Sequence, residues 1–195
     1  RALADSYYTM TKEDARHYVE QAALDERIVD ANVVAETLEV LQNAAHRFDF
    51  SNTYEAEMRF DVNIEDVDVV GYIDRVDFVE DTATLEIHEY KTGHVVPLKQ
   101  DLRWAPQTLL YPEALARFPA LSLGKNIAMV YHYLRSGVIM RFDYDETAAT
   151  VARTWVANTQ AEINKLTEGP SGWPATPSGA CAWCPVRDGC EALAS

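Results

Sequence analysis

Three pieces of one stretch decide how the chain folds: Gly71-Tyr72-Ile73-Asp74-Arg75, then Glu89-Tyr90-Lys91-Thr92-Gly93, then Gln107-Thr108-Leu109-Leu110-Tyr111. The middle piece sets a carboxylate and an ammonium two residues apart in a run rich in strand-forming residues. A strand's period of two turns Glu89 and Lys91 to one face and Tyr90 to the other. A second acid, Asp74, stands one strand earlier.

Upstream of these pieces, Tyr54, Ala56, Met58, Phe60 and Val62 alternate with Glu55, Glu57, Arg59 and Asp61, which predicts a half-buried strand from Thr53. Residues 63–66 form a turn. Strands follow over 67–79 and 84–91, with Glu80 and Asp81 between them, so the three make an antiparallel meander. Thr92-Gly93 ends the third strand, and 94–105 is a loop carrying Lys99 and Arg103. Pro106 suits a first helical turn, and Pro112 should kink the helix it starts. Two more strands, 127–134 and 138–142, meet at Ser136-Gly137. A helix over about 145–166 follows, with Val151, Trp155, Ile163 and Leu166 facing inward. Ahead of the strands, Thr11 caps one helix, with Asp14 three residues on and Ala15, Tyr18, Val19 and Ala22 on one face. Ile28, Val33, Leu38, Leu41 and Ala45 mark another, ending near Phe48. His17 and His46 lie on these helices and fit packing or surface positions better than ligand roles.

At 195 residues and 48% hydrophobic content the chain suits one domain with its own core. We divide it into a helical part over 1–50, a core over 51–167, and a Pro/Gly/Ser-rich linker with a cysteine tail over 168–195. No apolar run approaches the roughly 20 residues of a membrane helix, and the start lacks the layout of a signal peptide, so the default is a soluble cytoplasmic protein. The chain opens at Arg1 in helical-looking sequence, as a chain lacking an upstream segment would. A net charge of −14, from 31 acids and 17 bases, argues against a protein that coats nucleic acid with a basic face. It leaves room for an enzyme whose carboxylates hold cations and whose basic groove is local; Arg75, Lys91, Lys99, Arg103 and Arg135 are candidates for that groove.

Cleaving a phosphodiester asks for few protein groups. Mg²⁺ takes oxygen ligands and keeps several waters, so one or two carboxylates and a substrate phosphate hold it. Asp74 and Glu89 supply such carboxylates, and the peptide carbonyl of Tyr90 adds a third oxygen. Lys91 would orient the attacking water or stabilise charge building on the phosphate. The competing reading of Glu89 and Lys91 is a solvated ion pair worth a few tenths of a kcal/mol. Glu57 is a further acid on the preceding strand, more simply a surface residue. Trp104, Tyr131, Tyr133 and Trp183 are aromatic candidates for stacking on bases, Trp104 foremost, though core or rim packing is the better reading for most of them.

The three motifs in this order resemble the PD-(D/E)XK nucleases of the RecB type, which include recombination helicase-nucleases and CRISPR-associated exonucleases; the resemblance covers about residues 50–190. It implies an α/β, restriction-endonuclease-like core with a small mixed sheet flanked by helices and a C-terminal cysteine tail. It implies that Asp74 and Glu89 bind Mg²⁺ or Mn²⁺, that Lys91 is the catalytic lysine, and that Gln107 and Tyr111 face the site. The implied activity is a single-strand DNA exonuclease in recombination, repair or phage- or CRISPR-linked processing, in a bacterial or phage-infected cell, with a helicase or CRISPR partner. Cys181, Cys184 and Cys190 match the C-x2-C-x5-C tail of its iron–sulfur members, where a fourth cysteine near the N-terminus completes a [4Fe–4S] cluster. No fourth cysteine is present here, and the family's early Gly-Thr-x-x-His has no counterpart. A three-cysteine zinc site, as in a zinc-ribbon interaction protein, and free thiols remain alternatives. The alternative to an enzyme is a DNA-binding or scaffold module that keeps the nuclease fold within a larger complex.

Overall fold

The alternation that begins at Thr53 becomes a five-stranded sheet in the computed structural model of the chain, which describes residues 11–28, 30–44, 49–169, 173, 175–190 and 192. The strands are β1 (Thr53–Ile64), β2 (Val67–Val79), β3 (Thr84–Lys91), β4 (Asn126–Tyr133) and β5 (Val138–Asp143), and their spatial order is their order in sequence. β1, β2 and β3 form the expected antiparallel meander, and β4 pairs antiparallel with β5. β3 and β4 run parallel, so the sheet is mixed. Parallel neighbours need a crossover, and residues 92–125 supply it through α3 (Lys99–Leu102), α4 (Pro106–Ala116) and α5 (Pro119–Ser122). The result is a mixed sheet flanked by helices, the α/β arrangement that the resemblance implies.

The β1–β2 hairpin is tighter than the sequence suggests. Asn63 and Ile64 belong to β1, and the turn is Glu65-Asp66, with φ of 51° and 62°. Two-residue hairpins favour positive φ at both central positions, and here both are met without glycine.

Met58, Phe60 and Ile64 of β1, Val76 of β2, Ile87 of β3 and Met129 of β4 belong to one core cluster, which also holds Leu102, Ala114 and Leu115 from the crossover. A second cluster joins Ala15 of α1 (Lys12–Asp25) and Leu41 of α2 (Ala31–Ala44) to Phe50, Leu134 and Tyr90. Tyr90 thus leaves β3 on the side of the N-terminal helices, as alternation requires. The capping box at Thr11 forms in full: Thr11 Oγ1 accepts the Asp14 N–H, and the Asp14 carboxylate accepts the Thr11 N–H. On α1, Ala15 and Val19 are buried, whereas Tyr18 and Ala22 are exposed. The end of α2 near Phe48, with Ala45 and His46, lies outside the described residues.

α4 carries Pro112 within it and runs to Ala116. Two expectations need correction. The loop over 94–105 contains α3, a helix too short to show periodicity. The helix α6 (Glu146–Glu168) buries Ala148, Ala149, Ala152 and Val156. Trp155 and Ile163, expected inside, are each 37% exposed.

The chain divides into two compact units, residues 1–156 and 157–195, so α6 begins in one and ends in the other. In the second, Ser178 caps the short 3-10 turn Gly179–Trp183, which precedes another at Arg187–Gly189. Among the described residues, no helix is long and apolar enough to cross a membrane.

Candidate active site

β2 and β3 bring the two acids together. Arg75 lies opposite His88, and extending that register by one residue sets Asp74 opposite Glu89. Asp74 is further fixed by the Tyr90 peptide N–H, which donates to its Oδ2 at 3.0 Å. Glu89 is only 6% exposed. The Lys91 ammonium donates to Glu89 Oε1 at 2.8 Å and to Gln107 Oε1 at 2.8 Å, which links β3 to the first turn of α4.

Tyr111 follows Gln107 by one turn of α4, so both side chains share a face. Burial pushes the Tyr111 phenol above its ordinary value, a hydrogen bond with Gln107 draws it back, and the carboxylates of Glu89 and Asp74 raise it further. The structure therefore brings together all five side chains named from the motifs: Asp74, Glu89, Lys91, Gln107 and Tyr111.

Beneath them lie residues whose part was not legible. Gly71 stands opposite Phe60, and a Cβ on Gly71 would lie 2.3 Å from Phe60 Cζ. The Phe60 ring meets Tyr111 edge-on at 5.7 Å. The glycine of the first motif thus makes room for the ring that supports Tyr111. Tyr131, in parallel register with Glu89, lies with its ring centroid 5.8 Å from Lys91 Nζ, and its hydroxyl is 2.9 Å from Thr108 Oγ1. The composition of β4 gives no sign of this, because register with β3 is set by the crossover.

Other candidates fall elsewhere. Tyr131 and Tyr133 are 1% and 4% exposed and present no face to a base. Arg75 is buried against Asp77, with Nη2 and Oδ2 2.9 Å apart, and is no groove cation. Arg135 pairs with Glu36 and donates to the Thr92 carbonyl. Glu57 is exposed, at φ 52°. His17 is exposed as well, while Trp104 and Trp183 present open rings.

The donor set suits a hard cation. Glu89 Oε2 is buried and has no hydrogen-bond partner among the described residues, so a second acceptor stands ready beside Asp74. Among the described residues no group of three or more His, Cys, Asp or Glu side chains is placed to hold a metal, which leaves the two carboxylates as the acidic set. Mg²⁺ needs no more from a protein than one or two carboxylates. The placement of the cysteines gives no support to their implied cluster. Cys181, Cys184 and Cys190 are free, half-buried thiols that form no metal-holding group, and Cys181 Sγ accepts the Ser178 N–H at 3.3 Å.

The family model of the PD-(D/E)XK nuclease superfamily matches residues 2–191. No curated protein matches the chain.

Proposed function

The chain belongs to the PD-(D/E)XK nuclease superfamily, and from that premise we propose that it is a metal-dependent deoxyribonuclease of the RecB-like group, acting on single-stranded ends in recombination, repair or phage- or CRISPR-linked DNA processing. The observation that carries this reading is the Lys91 ammonium held between Glu89 and Gln107 at 2.8 Å from each. In it, Asp74 and Glu89, with the Tyr90 peptide carbonyl, would hold Mg²⁺ or Mn²⁺. Such an ion, when bound, supplies a Lewis acid that offsets charge developing on the phosphate.

The chain's own groups do the rest. Lys91 has its side chain 35% exposed, so it can turn a proton toward a phosphate oxygen while Gln107 keeps it aligned. The Tyr111 phenol, with its proton held more tightly than usual, is a neutral donor at the rim. Water adds to phosphorus as the bond to the leaving sugar oxygen breaks.

The test is digestion of an end-labelled single-stranded oligonucleotide with Mg²⁺, with Mn²⁺ and with EDTA. Metal-dependent cleavage that Lys91→Ala abolishes is the expected result. A folded Lys91→Ala protein cutting at the wild-type rate sinks the site assignment. Wild-type binding without cleavage at any metal points instead to a scaffold module that keeps the fold.

A further inference from the structure

A cleft of about 620 Å³ is lined by Leu98, Lys99, Gln100 and Arg103 from the crossover and by Arg141, Phe142 and Asp143 from β5. That volume is in the range of ligand-binding sites, roughly 300–1,000 Å³. Three cations line it against one carboxylate, in a chain whose net charge is −14.

The cations are available. Lys99 has no ion-pair partner among the described residues; its Nζ lies 5.6 Å from the Phe142 ring centroid. Arg103 pairs with Asp145 at 3.0 Å, and Arg141 with Glu86 at 3.0 Å and with Asp143, all with partly exposed side chains. Exposed pairs of this kind hold by little, about 0–1 kcal/mol, so a phosphate can take the place of the carboxylates.

The wall of the cleft packs, through buried rings, against the reacting centre. Phe142, in its wall, meets Tyr131 edge-on at 6.2 Å, and Tyr131 is the ring beside Lys91. Trp104 stands three residues before Gln107; it is 44% exposed, with the Arg103 guanidinium carbon 5.1 Å from its ring centroid. An exposed indole beside a cationic cleft offers a stacking face, and a duplex has its base faces already covered.

We propose that this cleft binds the single-stranded nucleic acid flanking the reacting phosphate, with Lys99 and Arg103 on its backbone and Trp104 stacked on an unpaired base. The proposal rests on the nuclease reading and names how its substrate is held.

The experiment is equilibrium binding of a fluorescent single-stranded DNA oligonucleotide to the full chain in EDTA, across a salt series, with single-stranded RNA and blunt DNA duplex of the same sequence as further arms. Lys99→Glu should weaken binding about tenfold at low salt and reduce the log–log salt slope by about 0.7 per lost phosphate contact. Trp104→Ala should weaken single-strand binding by roughly 5- to 100-fold with the slope unchanged, and Trp104→Phe should restore most of it. Both residues are exposed, so the variants should keep the wild-type melting temperature. If wild type binds and cleaves single strands but both variants bind as wild type does, the cleft falls and the nuclease reading stands. If wild type neither binds nor cleaves, both fall. Duplex binding that equals single-strand binding and drops equally on Trp104→Ala removes the stacking role. Equal effects on DNA and RNA place the contact on the shared backbone and base faces, and effects on neither overturn it.

Discussion

Successive residues of β3 serve opposite sides of the sheet, and the two sides use charge differently. Glu89 and Lys91 face α4, where Glu89 Oε2 is left without a hydrogen-bond partner and the Lys91 side chain is 35% exposed. His88 and Tyr90 face the other way. There Asp77 receives Arg75 Nη2 at 2.9 Å and Thr53 Oγ1 at 3.1 Å, and lies 3.2 Å from His88 Nε2. His88 Nδ1 in turn lies 2.8 Å from His132 Nε2, and the two rings stack at 5.1 Å. Arg75 also rests over the Phe50 ring, 4.8 Å from its centroid. Both faces hold carboxylates against cations; what separates them is access to solvent. On the inner face Arg75, Asp77 and His88 are 5%, 5% and 7% exposed, so their charges serve the structure. On the outer face the Lys91 ammonium reaches solvent beside Glu89, which is what a substrate can use.

This contrast breaks if charge removal on the two faces has similar consequences. Lys91→Ala should lower the cleavage rate by about a thousandfold or more while moving the melting temperature little, read by initial rates beside a thermal melt. Asp77→Ala should do the reverse. Stranding the buried Arg75 should cost about 3–5 kcal/mol in chemical denaturation. Should the Asp77 variant unfold at the wild-type denaturant midpoint, the inner network is not a structural device.

Gly71→Ala sharpens the comparison by acting on both properties at once. Its methyl drives the Phe60 ring toward Tyr111, and overpacking of this kind costs about 1–3 kcal/mol, with a parallel fall in cleavage. An alanine variant with unchanged midpoint and rate would mean that the ring is not held as described. The smallest effect is one of pH. Burial, opposed by Arg75 and aided by Asp77 and Asp74, pushes the Tyr90 phenol up to about 12. A phenol that holds its proton more tightly when folded favours the folded state below the ordinary pKa of about 10, and that contribution is lost as pH climbs through about 12. Tyr90→Phe should therefore flatten the decline of stability between those values. Equal slopes for the two proteins would place Tyr90 outside the buried network.

The strands were legible because period-two runs end at strong turn residues. β2 and β3 take the bounds read from the sequence, and with them Asp74, Glu89 and Lys91 fall on the expected side. The place of Gln107 and Tyr111 in the site was implied by the family resemblance, and Pro106 opening α4 sets them one turn apart along it. Legibility ended where burial does not follow side-chain size. In α6 the buried face is carried by alanines, so the bulky Trp155 and Ile163 were misleading. It also ended where cross-strand partners decide a residue's part. Arg75 looked like a groove cation until Asp77, His88 and Phe50 closed around it, and core packing was the better reading of Tyr131 but not its place beside Lys91, which β4 sets. The match over residues 2–191 establishes the superfamily, while the fit of the cysteines to a cluster, implied by sequence spacing, finds no support in their placement.

The parallel pairing of β3 with β4 has a consequence for how the site comes into being. The meander β1–β2–β3 closes through tight local turns, so Asp74 and Glu89 can meet while the chain is still short of its crossover. Gln107, Tyr111 and Tyr131 arrive only when residues 92–125 have wrapped and β4 has docked, a closure of high contact order and hence slow. The acids are therefore early acquisitions in folding, and the clamp on the lysine is a late one.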